Sequence, residues 1–380
     1  MVSQRPPAAS ATTTEADLRH MGAALELARR GLGRTWPNPS VGCVIVRDGR
    51  VVGRGATRAG GRPHAETEAL AHAGEAARGA TAYVSLEPCA HHGRTPPCTD
   101  ALIAAGLARV VVAMEDPDPR TAGQGIVRLR EAGIRVDVGA CAEQAVRVNA
   151  GFVSRVTRLR PLVTLKVAAT LDGRVALDSG LSKWITGEEA RRRGHLLRAN
   201  HDGILVGAGT VRADDPALTC RIAGLEGRQP VRVVADSGLR TPSDSLLARS
   251  IEIAPLWLVC GEGASHAAAD AWRARGAEVI AVRHGDDGRL SPAAMMIALG
   301  DRGLTRVLVE GGPELSTSLL RAGLVDSLVW FQAPKLLGAD ARSALGGLDV
   351  LALDQAIAGR PVALARVGDD TMLTLDIARH

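Results

Sequence analysis

The feature that most constrains this chain is a set of metal-binding side chains in its first third: His64-Ala65-Glu66, then Pro88-Cys89, then Cys98. One imidazole and two thiols are the ligand set of a catalytic zinc site, whose three protein ligands leave the fourth tetrahedral position to water. Glu66, two residues from the histidine, is placed to move protons for that water. Taken singly, Cys89 and Cys98 read as buried thiols and His64 as a surface histidine. The combination points to zinc, and a shared ion requires the three segments to converge.

The local patterns place these residues on defined elements. Asp17, Leu18, Met21, Leu25 and Ala28 read as a capped amphipathic helix that ends at Gly31. Pro37-Asn38-Pro39 leads into a strand at 41–46, and Asp48-Gly49 turns it back through Val51-Val52 as a hairpin. The run 65–78 is helical in composition, so His64 and Glu66 stand at its N-terminus. Pro88-Cys89 lies just beyond a strand at 81–86. Helices at 99–105, 125–132 and 142–151 alternate with strands at 109–114 and 134–138, which predicts a mostly parallel sheet opened by a hairpin.

A basic stretch and a proline at 155–161 suggest a boundary, and 380 residues suit roughly two domains of about 150 residues each. The expected organisation is a mobile tail at 1–16, one domain at 17–155 and a second at 161–380. In the second, short apolar strands at 162–168, 203–206, 231–235, 256–260, 279–282 and 307–310 alternate with helices near 265–275, 291–300 and 314–322. β-like segments at 325–331, 362–367 and 371–377 close it, so a mixed α/β sheet is expected.

Composition excludes several classes. A net charge of +5 is mild for this length, and aromatics are only 2%, which argues against a nucleic-acid partner that stacks bases. No stretch reaches the length of a membrane span, and no signal-peptide core precedes residue 16. The six cysteines form no disulfide framework, which points to the cytoplasm.

Nucleobase deaminases with the same ligand chemistry separate their cysteines by two residues and use a glutamate as acid/base. Here eight residues, Ala90 to Pro97, intervene. The string Glu87-Pro88-Cys89-Ala90-His91-His92-Gly93-Arg94-Thr95-Pro96-Pro97-Cys98, with Pro37-Asn38-Pro39 and Val41-Gly42, resembles the zinc motif of the bifunctional pyrimidine deaminase/reductases of riboflavin biosynthesis. The resemblance implies that His64, Cys89 and Cys98 ligate one zinc ion, that Glu66 carries protons and that Asn38 hydrogen-bonds the pyrimidine. His91 and His92 are read as loop or substrate-contact residues.

In the second half, Val307 to Pro313 reads as a strand running into glycines and a helix with proline at its first position. Free N–H groups at such a start suit an anion. Gly207-Ala208-Gly209 lacks the third glycine of a dinucleotide fingerprint, because Arg212 occupies its place. Leu165-Lys166, Leu171-Asp172-Gly173, Ser182 to Thr186, Ala213 to Pro216, Leu218-Thr219, Glu310-Gly311-Gly312 and Ala333 to Gly338 resemble the reductase domain of the same family. The implied fold is a cytidine-deaminase-like α/β/α domain followed by a dihydrofolate-reductase-like α/β domain, which accounts for the missing fingerprint.

The implied cofactors are Zn²⁺ and NADPH. By similarity, Ala168, Trp184, Thr210, Asp214, Ser237 and the segment Gly312, Pro313, Glu314, Leu315, Ser316, Thr317 and Ser318 contact NADPH. Ser182, Arg198, Leu218, Arg221 and Glu310 contact the substrate, with Lys166 beside the sugar. Arg198 and Arg221 offer forks suited to a phosphate. Read without the resemblance, Trp184 is a core residue, Lys166 a strand-end surface residue and Arg191 to Arg193 a solvated helix face. The expected activity is deamination of a pyrimidine ribosyl phosphate followed by reduction of its ribosyl group, in a homo-oligomer with no nucleic-acid or membrane partner. A silent C-terminal assembly domain is the alternative.

Overall fold

The computed structural model describes residues 13–93 and 96–378. The chain divides between Leu159 and Arg160 into two compact units.

The first unit runs α1 (Glu15–Arg29), β1 (Gly42–Arg47), β2 (Arg50–Ala56), α2 (Ala65–Ala73), β3 (Thr81–Val84), α3 (Cys98–Ala104), β4 (Arg109–Val112), α4 (Gln124–Glu131), β5 (Arg135–Val138), α5 (Ala142–Val148) and α6 (Ala150–Arg158). Its five-stranded sheet has the order β2-β1-β3-β4-β5. The hairpin strand β1 runs antiparallel to both neighbours, and β3, β4 and β5 are parallel. Ile45, Val84, Val110, Leu102 and Leu129 meet in the core.

Residues 1–12 of the expected tail lie outside the described residues, and Thr14 already belongs to the fold. Its hydroxyl accepts from the Asp17 N–H at 3.2 Å while its own N–H donates to Asp17 Oδ2 at 2.9 Å, a reciprocal cap. Asp17 is therefore the third residue of the helix rather than its cap. It is buried, and it also accepts from Tyr83 Oη at 2.8 Å and from Arg109 Nη1 at 2.7 Å. Arg109 in turn donates to Asp137 Oδ2 at 2.7 Å, so one ionic chain joins α1 to β3, β4 and β5. A buried charge must be paired in this way to persist.

Two glycines seat α2. A Cβ at Gly55 would lie 2.0 Å from the Ala65 carbonyl oxygen, and one at Gly53 would lie 2.2 Å from that of Ala69. The helix backbone therefore rests directly on β2, and its N-terminus is brought against the sheet. The helix expected at 142–151 is instead two, broken at buried Asn149, whose side-chain oxygen accepts from the Ser40 N–H at 3.0 Å. The basic stretch expected as a linker begins within α6, which packs Phe152 and Val153 against the core.

The second unit runs β6 (Leu162–Thr170), β7 (Arg174–Ala176), α7 (Glu188–Ala199), β8 (Gly203–Gly207), α8 (Ala208–Asp214), β9 (Val231–Ala235), α9 (Leu246–Arg249), β10 (Leu256–Gly261), α10 (His266–Ala274), β11 (Glu278–Val282), α11 (Pro292–Asp301), β12 (Arg306–Val309), α12 (Pro313–Arg321), β13 (Ser327–Ala333), β14 (Arg342–Ser343), β15 (Gly359–Val367) and β16 (Asp370–Ile377). The short helices α8 and α9 show no periodicity and have no counterpart among the expected elements. The main sheet has the order β11-β10-β9-β8-β12-β6-β13-β16-β15. It is parallel from β11 to β13, and β16 runs antiparallel to both its neighbours. This is the expected mixed sheet. Asp326 ties its centre together, accepting from Arg160 Nη1 at 2.7 Å and from the Val163 N–H at 2.9 Å. Among the described residues no helix is long and apolar enough to cross a membrane.

His201 is buried here, with Nδ1 2.7 Å from the Leu197 carbonyl and Nε2 3.0 Å from Thr164 Oγ1. Burial depresses its pKa from 6.5 to about 4. A depressed histidine contributes stability that is present above its unfolded pKa and lost as pH falls toward the folded one. The loss between pH 6.5 and 4 is worth up to about 3 kcal/mol. Urea unfolding of the full chain, followed by tryptophan fluorescence, should show a midpoint that falls across this window. His201→Asn should flatten that fall.

Candidate functional site

In the first unit the predicted ligands converge. His64 immediately precedes α2, Cys89 follows the exit of β3, and Cys98 opens α3. His64 Nδ1 lies 3.2 Å from Cys98 Sγ and 3.7 Å from Cys89 Sγ, and the three donor atoms all fall within 4.8 Å of one another. Zinc bonds of about 2.0–2.3 Å in a tetrahedron place donors roughly 3.5–3.8 Å apart, so the set fits zinc. The Cys98 N–H donates to Cys89 Sγ at 3.3 Å, and the Thr99 N–H donates to the Cys89 carbonyl at 3.2 Å. The α3 terminus therefore fixes Cys89 despite the long spacer, of which Arg94 and Thr95 lie outside the described residues.

Electrostatics suit a cation. The hydrogen bond from the Cys98 thiol, with His64 adding to it, pulls the Cys89 thiol down to about 4. The complementary shift raises Cys98, and a bound cation draws both to thiolate. Glu66 is 3% exposed, and burial pushes its carboxyl up to about 7 against the opposing charge of His64.

These residues open on a cavity of about 480 Å³ lined also by Asn38, Arg62, His91, Asp116, Asp118, Arg120 and Phe152. Asn38 is thus brought to the metal-facing pocket, and its Nδ2 donates to the Gly60 carbonyl at 3.4 Å. His91 lines the pocket outside the ligand cluster. Sequence patterning missed Arg62, Asp116, Asp118 and Phe152, which lie in turns and a helix face without a motif of their own.

In the second unit the predicted contacts gather at the C-terminal edge of the parallel strands, where open α/β sheets receive ligands. Glu310 follows β12 and is the hub. Arg198 Nε and Nη2 donate to its two oxygens at 2.8 and 3.0 Å, and Lys166 Nζ on neighbouring β6 lies 3.6 Å away. Burial alone would raise the Glu310 carboxyl, but the charges of Arg198 and Lys166 hold it at about 2. Arg198 Nη1 also donates to the Thr219 carbonyl at 3.0 Å. Much of the fork expected to face a phosphate is therefore turned to Glu310, because a buried carboxylate demands a cation. Lys166 is an inward-facing member of this cluster, 6.0 Å from the centroid of the Phe331 ring, and not a surface residue.

Other expected contacts surround this edge. Thr210 on α8 faces Gly312 at the cap of α12, since a Cβ on Gly312 would lie 3.6 Å from its hydroxyl. Gly207 and Gly209 border open space, which suits the approach of a phosphate-bearing cofactor such as NADPH. Ala168 lies on β6, Ser237 just after β9, Asp214 at the exposed end of α8, and Leu218 in a buried left-handed turn at φ 52°. Pro313, Glu314, Leu315 and Ser318 lie along α12. Ser316 and Thr317 of that helix are buried, and the Thr317 hydroxyl accepts from the Gly346 N–H at 2.7 Å. Trp184 is 63% exposed with the Arg191 guanidinium 4.6 Å from its ring, so it is not a core residue. Ser182 and Arg221 lie in coil, Arg221 exposed, with its N–H 3.4 Å from His195 Nδ1.

A His/Cys/Cys centre beside a buried glutamate on a five-stranded sheet defines a zinc-dependent deaminase unit, and the model of the cytidine and deoxycytidylate deaminase zinc-binding region matches residues 14–114. The RibD C-terminal domain model matches residues 161–373. The chain is 47% identical to the Escherichia coli riboflavin biosynthesis protein RibD over 350 residues, covering 88% of this chain and 93% of that protein. It is 40% identical to the Aquifex aeolicus RibD over 94% of this chain and 98% of that one. The Acinetobacter baumannii RibD structure superposes with a TM-score of 0.87 at 38% identity, over 96% of this chain and 99% of that one. A Thermotoga maritima diaminohydroxyphosphoribosylaminopyrimidine deaminase/5-amino-6-(5-phosphoribosylamino)uracil reductase superposes at 0.84 and 34% identity, with the same coverage.

The chain belongs to the RibD family of riboflavin biosynthesis proteins. It is a bifunctional enzyme, with a zinc-binding deaminase unit and a reductase unit of the NADPH-using kind, and the alternative of a silent assembly domain is not favoured. Cys98→Ser should abolish stoichiometric zinc in the purified protein. At zinc a hundredfold above its Kd the ion stabilises the native state by about 2.7 kcal/mol. Thermal scans with and without zinc should show that increment in the wild type and lose it in the variant.

Proposed function

We propose that the first unit hydrolyses 2,5-diamino-6-ribosylamino-4(3H)-pyrimidinone 5′-phosphate at its exocyclic C2 amine. In the second unit, we propose, the ribosyl group of the product is reduced to give 5-amino-6-ribitylamino-uracil 5′-phosphate. The observation that carries the first assignment is the burial of Glu66 at the head of α2, two residues from His64, in one pocket with Asn38. His64, Cys89 and Cys98 hold the zinc ion, which when bound supplies the Lewis acidity that makes water a nucleophile near neutral pH. Glu66 takes a proton from that water, passes it to the ring nitrogen and then serves the departing ammonia. Water is consumed, and the C–N bond is exchanged for a carbonyl. Asn38 orients the pyrimidine by hydrogen bonding.

On the reductase edge NADPH, when bound, supplies the hydride. Ala168, Trp184, Thr210, Asp214, Ser237 and residues 312–318 hold it there. Ser182, Leu218, Arg221 and the remaining N–H groups of Arg198 orient the ribosyl phosphate. Glu310 holds Lys166 and Arg198 in place beside the sugar, and the proton that accompanies reduction of the open-chain imine comes from solvent.

The assembly is proposed to be a homo-oligomer formed through the second unit. Strand β15 is the outer strand of the large sheet, with Val362 and Leu364 exposed at 41% and 72%. An apolar edge strand is a template for pairing with another chain. Cytoplasmic location agrees with six free cysteines, and no nucleic-acid partner is proposed.

Two variants separate the half-reactions. Glu66→Gln should lower ammonia release by about two to four orders of magnitude, the scale of general acid–base catalysis, while NADPH oxidation from the deaminated intermediate is unchanged. Glu310→Gln should do the reverse. Ammonia release at the wild-type rate from Glu66→Gln would overturn the assignment.

A further inference from the structure

Glu87 stands two residues before the ligand Cys89 and is 5% exposed. Its carboxylate accepts four backbone N–H groups. Oε2 takes those of Asp116 at 3.0 Å and Gly123 at 2.9 Å, and Oε1 takes those of Gly125 at 2.8 Å and Ile126 at 3.2 Å. Three of the four belong to the start of α4, where N–H groups lack partners within the helix and favour negative charge. A carboxylate has about four acceptor sites, so this one is saturated.

A second observation is independent of the hydrogen bonds. A Cβ at Gly125 would lie 2.0 Å from the Pro88 carbonyl oxygen. The first turn of α4 is therefore pressed against the peptide that leads into Cys89, with no room for a side chain between them.

The segment held in this way carries one part of the pocket wall, formed by Asp116, Asp118, Arg120 and Thr121, in the pocket that His64, Glu66 and Asn38 also line. Between residues 115 and 123 the backbone has no strand or helix. It is ordered by short links, the Asp118 N–H to Asp116 Oδ1 at 2.9 Å and the Ala122 N–H to the Asp118 carbonyl at 2.9 Å. Both ends of that series are fastened at Glu87.

We infer that Glu87 is a positioning residue for deamination: it joins the 116–123 wall and α4 to the Cys89 loop, so that the substrate-facing and metal-facing sides of the pocket move as one body. It acts through Asp116, Asp118 and Cys89 rather than by touching substrate. The inference rests on the deaminase reading of this pocket.

The test is Glu87→Gln in the full-length, zinc-loaded enzyme. The amide keeps the shape but turns a donor toward two of the four N–H groups. Amide hydrogen exchange should accelerate about tenfold in peptides spanning 115–127, the scale of a charge-assisted bond left unmade, with residues 109–112 unchanged. KM for the diaminopyrimidine substrate should rise by a similar factor with a smaller change in kcat. Zinc content and NADPH oxidation from the deaminated intermediate should stay at wild-type values. Should the variant not fold, Gly125→Ala, which keeps the carboxylate and displaces the helix from Pro88, is read in the same way.

Unaltered exchange over 115–127, or zinc loss with KM unchanged, would overturn the inference. A wild-type protein that releases no ammonia from this substrate would defeat the deaminase reading, and with it the catalytic role of Glu87. The exchange result would then still report whether the clamp exists.

Discussion

The deaminase unit depends on one packing constraint, the direct contact of the α2 backbone with the β1–β2 hairpin. No side chain separates them at Gly53 and Gly55, so the helix start is drawn down to the level at which β3 and the α3 terminus deliver Cys89 and Cys98. Three ligands from three segments then meet without any one of them reaching. The rest of the pocket is assembled on that fixed point. The pairing of Asp17 with Arg109 and Tyr83 holds α1 against the opposite part of the sheet. A displaced α2 would separate His64 from both thiols and draw Glu66 out of the pocket that they line.

The reductase unit solves a different problem with the same economy of charge. Its hub is Glu310, a buried carboxylate made tolerable by two cations from neighbouring elements, Lys166 on β6 and Arg198 on α7. The arrangement holds a lysine in one place at the carboxyl edge of a parallel sheet, 3.6 Å from the Glu310 carboxylate. Preorganised charge of this kind is what hydride transfer to a sugar needs from the protein, since the cofactor carries the chemistry. In the first unit burial outweighs the opposing charge of His64, and the acid's pKa rises. In the second it is compensated and its pKa falls. The two carboxylates are thereby fitted to opposite tasks, one to exchange protons and the other to stay ionised.

Much of this was legible in the sequence, because the signals were local. His64-Ala65-Glu66, Pro88-Cys89 and Cys98 name their own chemistry, and the alternation of apolar runs with helical patterns defines both sheets. The hairpin at Asp48-Gly49 and the proline at the start of α12 were read from two or three residues each. What was not legible depends on contacts distant in the chain. Glu87 reads as one residue of a motif string, because its four acceptor bonds go to backbone amides 29 to 39 residues away, which carry no side-chain signature. Thr14 was hidden among small polar residues that resemble a tail, although its spacing to Asp17 is that of a reciprocal cap. Arg198 reads as a phosphate ligand until the fold brings Glu310 across 112 residues to meet it. Trp184 reads as core by residue type alone, and only the fold shows its ring exposed beside Arg191.

The central claim is that His64, Cys89 and Cys98 hold one zinc ion with a fourth position left to water. X-ray absorption at the zinc edge of the full-length, zinc-loaded enzyme tests it most directly. The account predicts two sulfur scatterers at about 2.3 Å and two nitrogen or oxygen scatterers at about 2.0–2.1 Å. A first shell without sulfur, or one made of four sulfurs, would contradict it.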